Sequence, residues 1–279
     1  MDRKLFDRYY KLLPKQSWLV KKEFELMKMI SSCKTSQQKD LLFNLLEDFQ
    51  YLNNDILNRY IESIADYIID ESEFDINKIQ IVGMAMDDNP DSSQWILQLL
   101  KPVLTKKGWN NVKMTTRFDK SIKILNKGTL TQLVLVDEFI GSGQSVSGRI
   151  KLLKERASVG FNIKACFIAG MQFGVDKVID DFDDFRCFIP LKKGISERYE
   201  DDEKSLAIAN MRELETTLLQ KIHDKELVEY HMGYNASEAL YSSTGNTPNS
   251  VFPYFWWPYD SKRNPRNPIL IRSEEGLGL

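Results

Sequence analysis

The chain has 279 residues, 42% of them hydrophobic and 28% charged, with a formal net charge of −2; such a composition sets aside extended disorder, and the balanced charge lacks the whole-chain basic signature of a dedicated nucleic-acid binder. Three scattered cysteines, Cys33, Cys166 and Cys187, and two histidines, His223 and His231, with no Cys-x-x-Cys pair, offer no ready zinc site or catalytic triad. No apolar run approaches the ~20 residues that span a bilayer, and residues 1–8 lack a signal-peptide apolar stretch, so a reducing cytoplasm is the expected compartment.

From about residue 3 to 70 the pattern is helical, because apolar residues return every three or four positions and glycine is absent. Pro14 separates a short first helix from a second. Leu42, Leu45, Phe49, Leu52, Ile56, Tyr60, Ile64 and Ile68 place one stripe along a long amphipathic helix. An acidic run, 70–75, closes this region and predicts a boundary near residue 75. Short β-type runs then alternate with helical ones, as in a parallel sheet with crossover helices. The predicted strands cover 79–84, 112–118, 133–137, 163–171 and 185–189; the predicted helices lie around 93–106, 144–157 and 174–181. Continuous apolarity from Leu133 to Val136 marks a strand buried on both faces. After Pro190 a polar stretch leads to helical periodicity over 205–223. The last fifty residues are rich in Gly, Asn, Ser and Pro around an aromatic cluster, Phe252 to Tyr259, and read as an irregular hood. The expected fold is therefore an α/β domain over 76–190, a helical domain over 1–75 before it, and a helix plus hood over 191–279.

The strand ending in Asp137 and Glu138 runs into Gly141-Ser142-Gly143-Gln144-Ser145 and then a helix. Free backbone N–H groups and hydroxyls at a helix N-terminus welcome a phosphate, and glycines let the backbone approach it. The two acids are placed to hold ribose hydroxyls or a magnesium ion with its waters. A Walker loop requires a lysine after its glycine, and none follows Gly143 or Gly148; the dinucleotide fingerprint would have its third glycine two positions earlier than Gly148. A βα turn with a serine cap and no ligand is the plainer alternative.

The run resembles, position by position, the phosphoribosyl-diphosphate signature of type I phosphoribosyltransferases: an apolar strand, two acids, two apolar residues, two small residues, glycine, any residue, then Ser or Thr. The resemblance implies that Asp137 and Glu138 hold the 2′ and 3′ hydroxyls and a Mg2+ ion, and that Gly141 to Ser145 wrap the 5′-phosphate. It also implies that the turn Met84–Pro90, with Met86, Asp87 and Asp88, meets the diphosphate. There the sequence departs from the family's small or basic residues, since two acids repel a diphosphate unless magnesium bridges them; a solvated loop before a helix cap at Asp91 or Ser92 is the alternative. The family's mobile loop falls on Arg117–Thr131, whose Lys120 would stabilise the leaving charge, although such a basic segment is also an ordinary solvated surface.

The C-terminal stretch Gly245 to Asn249, followed by Pro253 to Trp257, looks like the extension on phosphoribosyltransferase-like proteins of bacterial anti-phage systems, some of them encoded beside reverse transcriptases in retrons. This resemblance implies an antiviral effector and a defence-system partner protein or nucleoprotein. Trp256 and Trp257 could stack on a base and Asn246 read its edge, or the tryptophans could pack the hood or an interface. Two functions follow as expectations: magnesium-dependent transfer that makes or breaks an N-glycosidic bond in a ribose 5-phosphate compound, or a nucleotide-sensing module without turnover. The N-terminal helices invite a homo-oligomer.

Overall fold

The computed structural model describes residues 3–87, 89 and 91–273. In chain order the elements are α1 (Arg3–Lys15), α2 (Glu23–Ser31), α3 (Ser36–Glu47), β1 (Gln50–Leu52), α4 (Asn54–Asp66), β2 (Ile79–Ala85), α5 (Ser92–Lys106), β3 (Lys113–Arg117), α6 (Phe118–Leu125), β4 (Gln132–Ile140), α7 (Gln144–Arg156), β5 (Asn162–Met171), α8 (Gln172–Asp176), β6 (Asp184–Leu191), α9 (Asp201–Thr216), β7 (Lys221–Ile222), β8 (Lys225–Glu226) and β9 (Tyr241–Ser243). They form two compact units, one of residues 54–191 and one of the segment up to Asn53 joined to the segment from Lys192 onward. The division therefore does not follow the expected segments 1–75, 76–190 and 191–279: α4 belongs with the sheet, and the two ends of the chain build one unit together.

The long helix expected over 36–70 is interrupted. Its stripe is carried by α3 and α4, with the three-residue β1 between them pairing in parallel with β9. Asn53 and Asn54 stand at the restart, where short polar side chains favour helix ends over helix interiors. Helix α3 opens on Thr35, whose side chain accepts from the Gln38 backbone N–H at 3.2 Å, as a cap should. The last predicted helix likewise ends early, at Thr216, and the β7–β8 hairpin follows.

In the unit of 54–191 a five-stranded parallel sheet runs in the order β3-β2-β4-β5-β6. All seven residues of β2 are buried, the polar Gln80 included, as are Leu133 to Val136 on β4, which explains the unbroken apolarity of the latter run. One face is packed by Phe118, Ile122, Leu125, Val146, Ile150 and Leu153 against Val82, Leu133 and Leu135. From β2 the chain passes to β3 on one side and then to β4 on the other, so a topological switch point lies between β2 and β4. In open α/β sheets ligands bind outside the carboxyl ends of the strands at such a point.

The other unit has its own core. Phe49 meets Phe255 edge-on, with ring centroids 6.1 Å apart, and Trp256 and Trp257 are fully buried beside Tyr230. Among the described residues no helix is long and apolar enough to cross a membrane.

Candidate active site

The β2–β4 pairing brings Val82 opposite Leu135; two residues further along, at the carboxyl ends, stand Met84 and Asp137. Beyond Met84 the chain turns into α5, whose N-terminus is capped by Asp91 accepting from Ser93 N at 2.8 Å. Ser93, fully buried, accepts from Met84 N at 2.7 Å and so ties the helix start to the strand end. Ser92, beside it, donates to Asp137 Oδ1 at 2.7 Å, and the same oxygen accepts from Glu138 N at 2.7 Å. Asp137 and Glu138 are both buried. Burial, and then the neighbouring Asp91 charge, pushes the Asp137 carboxyl up to about 8, with the two hydrogen bonds opposing the rise.

The turn that follows is shaped by backbone-to-backbone packing. Gly143, at the N-terminus of α7, has φ 73, a left-handed conformation that glycine adopts without steric cost. A Cβ on Gly143 would lie 2.6 Å from the Gly174 carbonyl oxygen, and a Cβ on Gly174 only 1.9 Å from the Gly141 carbonyl oxygen. The α7 turn and the start of α8 therefore interlock through three glycines. Gly141 and Ser142 are half-buried, Gly143 is buried, and Gln144 and Ser145 are exposed, so the helix N-terminus reaches the surface. Gly174 was not singled out from sequence, and its role follows only from this contact.

Arg149, on α7, is a second residue that sequence reading passes over. Its Nε donates to the Met84 carbonyl at 2.9 Å, joining the phosphate-turn helix to the end of β2. Burial pulls its basicity down, while the charges of Asp91, Asp87 and Asp137 support it. Asp87 itself is exposed and accepts from Asn89 N at 3.0 Å, Met86 is half-buried, and Asp88 lies outside the described residues. The carboxyl ends of β2 and β4 thus gather three acids, Asp87, Asp91 and Asp137, around the Arg149 guanidinium.

Three expectations need correction. The segment 117–131 is not a mobile loop along its length: α6 covers Phe118–Leu125, with Phe118, Ser121, Ile122 and Leu125 buried at helical spacing. Lys120 and Lys123 stand exposed on its outer face, and Arg117 is held by Asp119 through Nε at 2.9 Å and Nη2 at 3.0 Å. Trp256 and Trp257 present no face to a base; both rings are core, their indole N–H groups donating to Val251 O at 2.9 Å and Leu219 O at 3.0 Å, because a buried indole must satisfy its N–H. Asn246 is exposed but tied at both ends, donating to Ser273 O at 2.8 Å and accepting from Ser273 N at 2.7 Å, so it clamps the chain rather than reading a base edge. All three residues belong to the unit that does not contain the sheet.

Among the described residues no group of three or more His, Cys, Asp or Glu side chains is arranged to hold a metal. A divalent ion would fit only in part: the buried, charge-crowded Asp137 gains from a nearby cation, but most of the coordination would come from ligand oxygens and water.

Similar solved structures include a hypothetical protein from Neisseria gonorrhoeae with bound ppGpp, at 12% identity and TM-score 0.38 over 58% of this chain and 97% of that one. The xanthine-guanine-hypoxanthine phosphoribosyltransferase of Helicobacter pylori is similar at 12% identity and TM-score 0.33, over 50% and 86%. The hypoxanthine-guanine phosphoribosyltransferase of Schistosoma mansoni in complex with IMP is similar at 15% identity and TM-score 0.33, over 50% and 65%. No curated protein matches the chain. A family model described as PRTase-CE matches residues 32–272, a span that takes in the sheet, the phosphate turn and the aromatic C-terminal segment alike; this α/β protein, with its phosphoribosyltransferase-like parallel sheet, belongs to the PRTase-CE family.

Proposed function

We propose that the chain is a phosphoribosyltransferase-like enzyme that acts on a ribose 5-phosphate compound, either phosphoribosyl diphosphate or a nucleotide, and makes or breaks its N-glycosidic bond with magnesium. The observation that carries this reading is the open α7 N-terminus, built from Gly141 to Ser145 directly after the buried Asp137 and Glu138 at the switch point of the sheet. The turn's N–H groups and hydroxyls bind the 5′-phosphate, and the two carboxylates accept from the 2′ and 3′ hydroxyls. Transfer breaks the bond from C1 to diphosphate as a C1–N bond to the base forms, so positioning and charge stabilisation supply the catalysis and no protein nucleophile is required. Mg2+, bound with the ligand beside Asp137 and Glu138, would neutralise developing phosphate charge. Half-buried Arg149, tied to the Met84 carbonyl, supplies positive charge on this chain's side. The setting proposed is defence against phage, with a partner protein or nucleoprotein such as a reverse transcriptase complex; the resemblance of the 245–257 segment supports it.

A second reading, a nucleotide sensor without turnover, is favoured by the state of Asp137, whose Oδ1 is already engaged twice and whose carboxyl is pushed up to about 8. The purified protein is incubated with magnesium, phosphoribosyl diphosphate and a nucleotide mixture. Base release or diphosphate formation that disappears in Asp137→Asn supports the enzyme; binding without turnover supports the sensor. Ser142→Asp sets a like charge against the phosphate and should abolish the perturbation of the Gly141 and Gly143 amide signals by ribose 5-phosphate in either case; a perturbation of those signals that survives places the site elsewhere.

A further inference from the structure

We propose that the unit formed by the two ends of the chain carries a separate site for a small phosphomonoester, held by Arg212 and His231. A pocket of about 640 Å³ opens there, lined among others by Arg212, Val228, Glu229, His231 and Asn235, a volume within the ~300–1,000 Å³ range of small-ligand sites. It lies wholly within residues 212–236 and shares no residue with the phosphate turn.

The pocket wall is built around a buried acid. Glu215, near the end of α9, is completely buried; its Oε2 meets His231 Nδ1 at 2.7 Å and its Oε1 accepts from Met232 N at 3.1 Å. A carboxylate in that position costs desolvation, and a hydrophobic side chain would serve packing better. Its specific effect is to fix the imidazole through Nδ1, leaving Nε2 as the ring's other hydrogen-bonding atom. Arg212 stands on the same helix, three residues before Glu215, and on the exposed side.

The segment that presents His231 and Asn235 is held in a conformation that its residues do not choose. Met232, Asn235, Ala236 and Glu238 have φ of 60, 56, 49 and 52, and for residues with a Cβ such left-handed backbone is disfavoured, Asn excepted in part. Bonds from several directions keep it so. Glu238, itself buried, accepts from Ile195 N at 2.8 Å and Ser196 N at 2.7 Å; Tyr234 N donates to Asn249 O at 2.9 Å, and Glu238 N to Met232 O at 2.7 Å. Strain over-determined in this way gathers at ligand sites.

The lining selects the ligand. A guanidinium fork matches phosphate oxygens, the imidazolium form of His231, held by Glu215 through Nδ1, donates Nε2–H to another, and Asn235 adds a neutral polar group. Glu229 opposes a polyanion such as nucleic acid but accepts a sugar hydroxyl, and the exposed Val228 offers an apolar wall to a ring. A sugar phosphate or nucleoside monophosphate satisfies all of these groups.

With only two histidines in the chain, His231 reports its own occupancy. Ring carbon–proton correlation spectra of the full-length protein are recorded during titration with ribose 5-phosphate, adenosine 5′-monophosphate, inorganic phosphate and acetate, and His231→Gln assigns the signals. A saturable shift of the His231 signals by a phosphomonoester is expected, with the midpoint weakened at least tenfold in Arg212→Gln and unchanged in Ser142→Asp. Arg212 is exposed, so its loss leaves folding intact, which a thermal melt verifies. Four outcomes overturn the proposal: no shift at millimolar phosphomonoester, an unchanged midpoint in Arg212→Gln, loss of the shift in Ser142→Asp, or acetate or inorganic phosphate binding as tightly as the sugar phosphates.

Discussion

Asp137→Asn should make the ligand-free protein more stable at pH 8 while removing ribose 5-phosphate from the 141–145 turn. In the folded chain the Asp137 carboxyl is raised from 3.8 to about 8 by burial and the Asp91 charge, so between those values the folded state holds a proton that the unfolded state has released. Stability conferred by that proton is complete below about pH 4 and is lost as pH rises towards 8. Each pH unit in the window is worth about 1.4 kcal/mol, which sets a ceiling of about 6 kcal/mol; because protein interiors respond as media of higher effective dielectric than a dry core, about 2–3 kcal/mol is expected. Asparagine carries no charge to desolvate and keeps an oxygen for Ser92 Oγ, now 2.7 Å from Asp137 Oδ1. Urea unfolding of both proteins at pH 5 and pH 8 tests this: the variant should gain on the parent at pH 8 and lose most of that gain at pH 5. An equal difference at both values would refute the reasoning.

Gly174→Ala forces a Cβ to within 1.9 Å of the Gly141 carbonyl, so it should destabilise the chain by about 1–3 kcal/mol and weaken ribose 5-phosphate at least tenfold by calorimetry. Gly148→Ala, in α7 with open space around the added methyl, should instead stabilise it by about 0.5–1 kcal/mol and leave that affinity unchanged, as thermal melts and the same calorimetry will show. Arg149→Gln removes the positive charge that Asp91 and Asp137 share; the Asp137 carboxyl should titrate still higher, visible as a shifted carboxyl carbon titration. Trp257→Phe deletes the bond to Leu219 O and should cost about 1–3 kcal/mol in urea unfolding without altering ribose 5-phosphate affinity.

The sheet, and the strand that runs through a glycine turn into a helix, were legible because their signals are local. Unbroken apolarity over Leu133 to Val136, two acids and a glycine turn occupy one short run, and the structure keeps them together at the end of β4. Misreadings arose where a local pattern fits two structures. Leu52 keeps the helical spacing of the 42–68 stripe yet sits on β1, because its partner strand lies almost two hundred residues away at Tyr241–Ser243. Phe118, Ile122 and Leu125 already carried a helix period, but the resemblance laid the family's mobile loop over 117–131; the lysines between them occupy the outer face of a helix. For Trp256 and Trp257, a stacking platform and a packed hood share one sequence, and only distant partners such as Tyr230 and Leu219 decide between them. Gly174 and Arg149 matter through contacts with Gly141 and Met84, which no run of neighbouring residues reveals.

The parallel pairing of β1 with β9 has a consequence for biogenesis. On a ribosome the first strand emerges before residues 54–191 have been made, and its partner emerges after them. The inserted sheet can therefore complete itself during synthesis, whereas α1 to α3 must wait for their partner segment until Tyr241–Ser243 has been made. Products truncated before Tyr241 should accordingly retain a folded 54–191 unit and an aggregation-prone α1–α3 segment, which is where dependence on chaperones should concentrate.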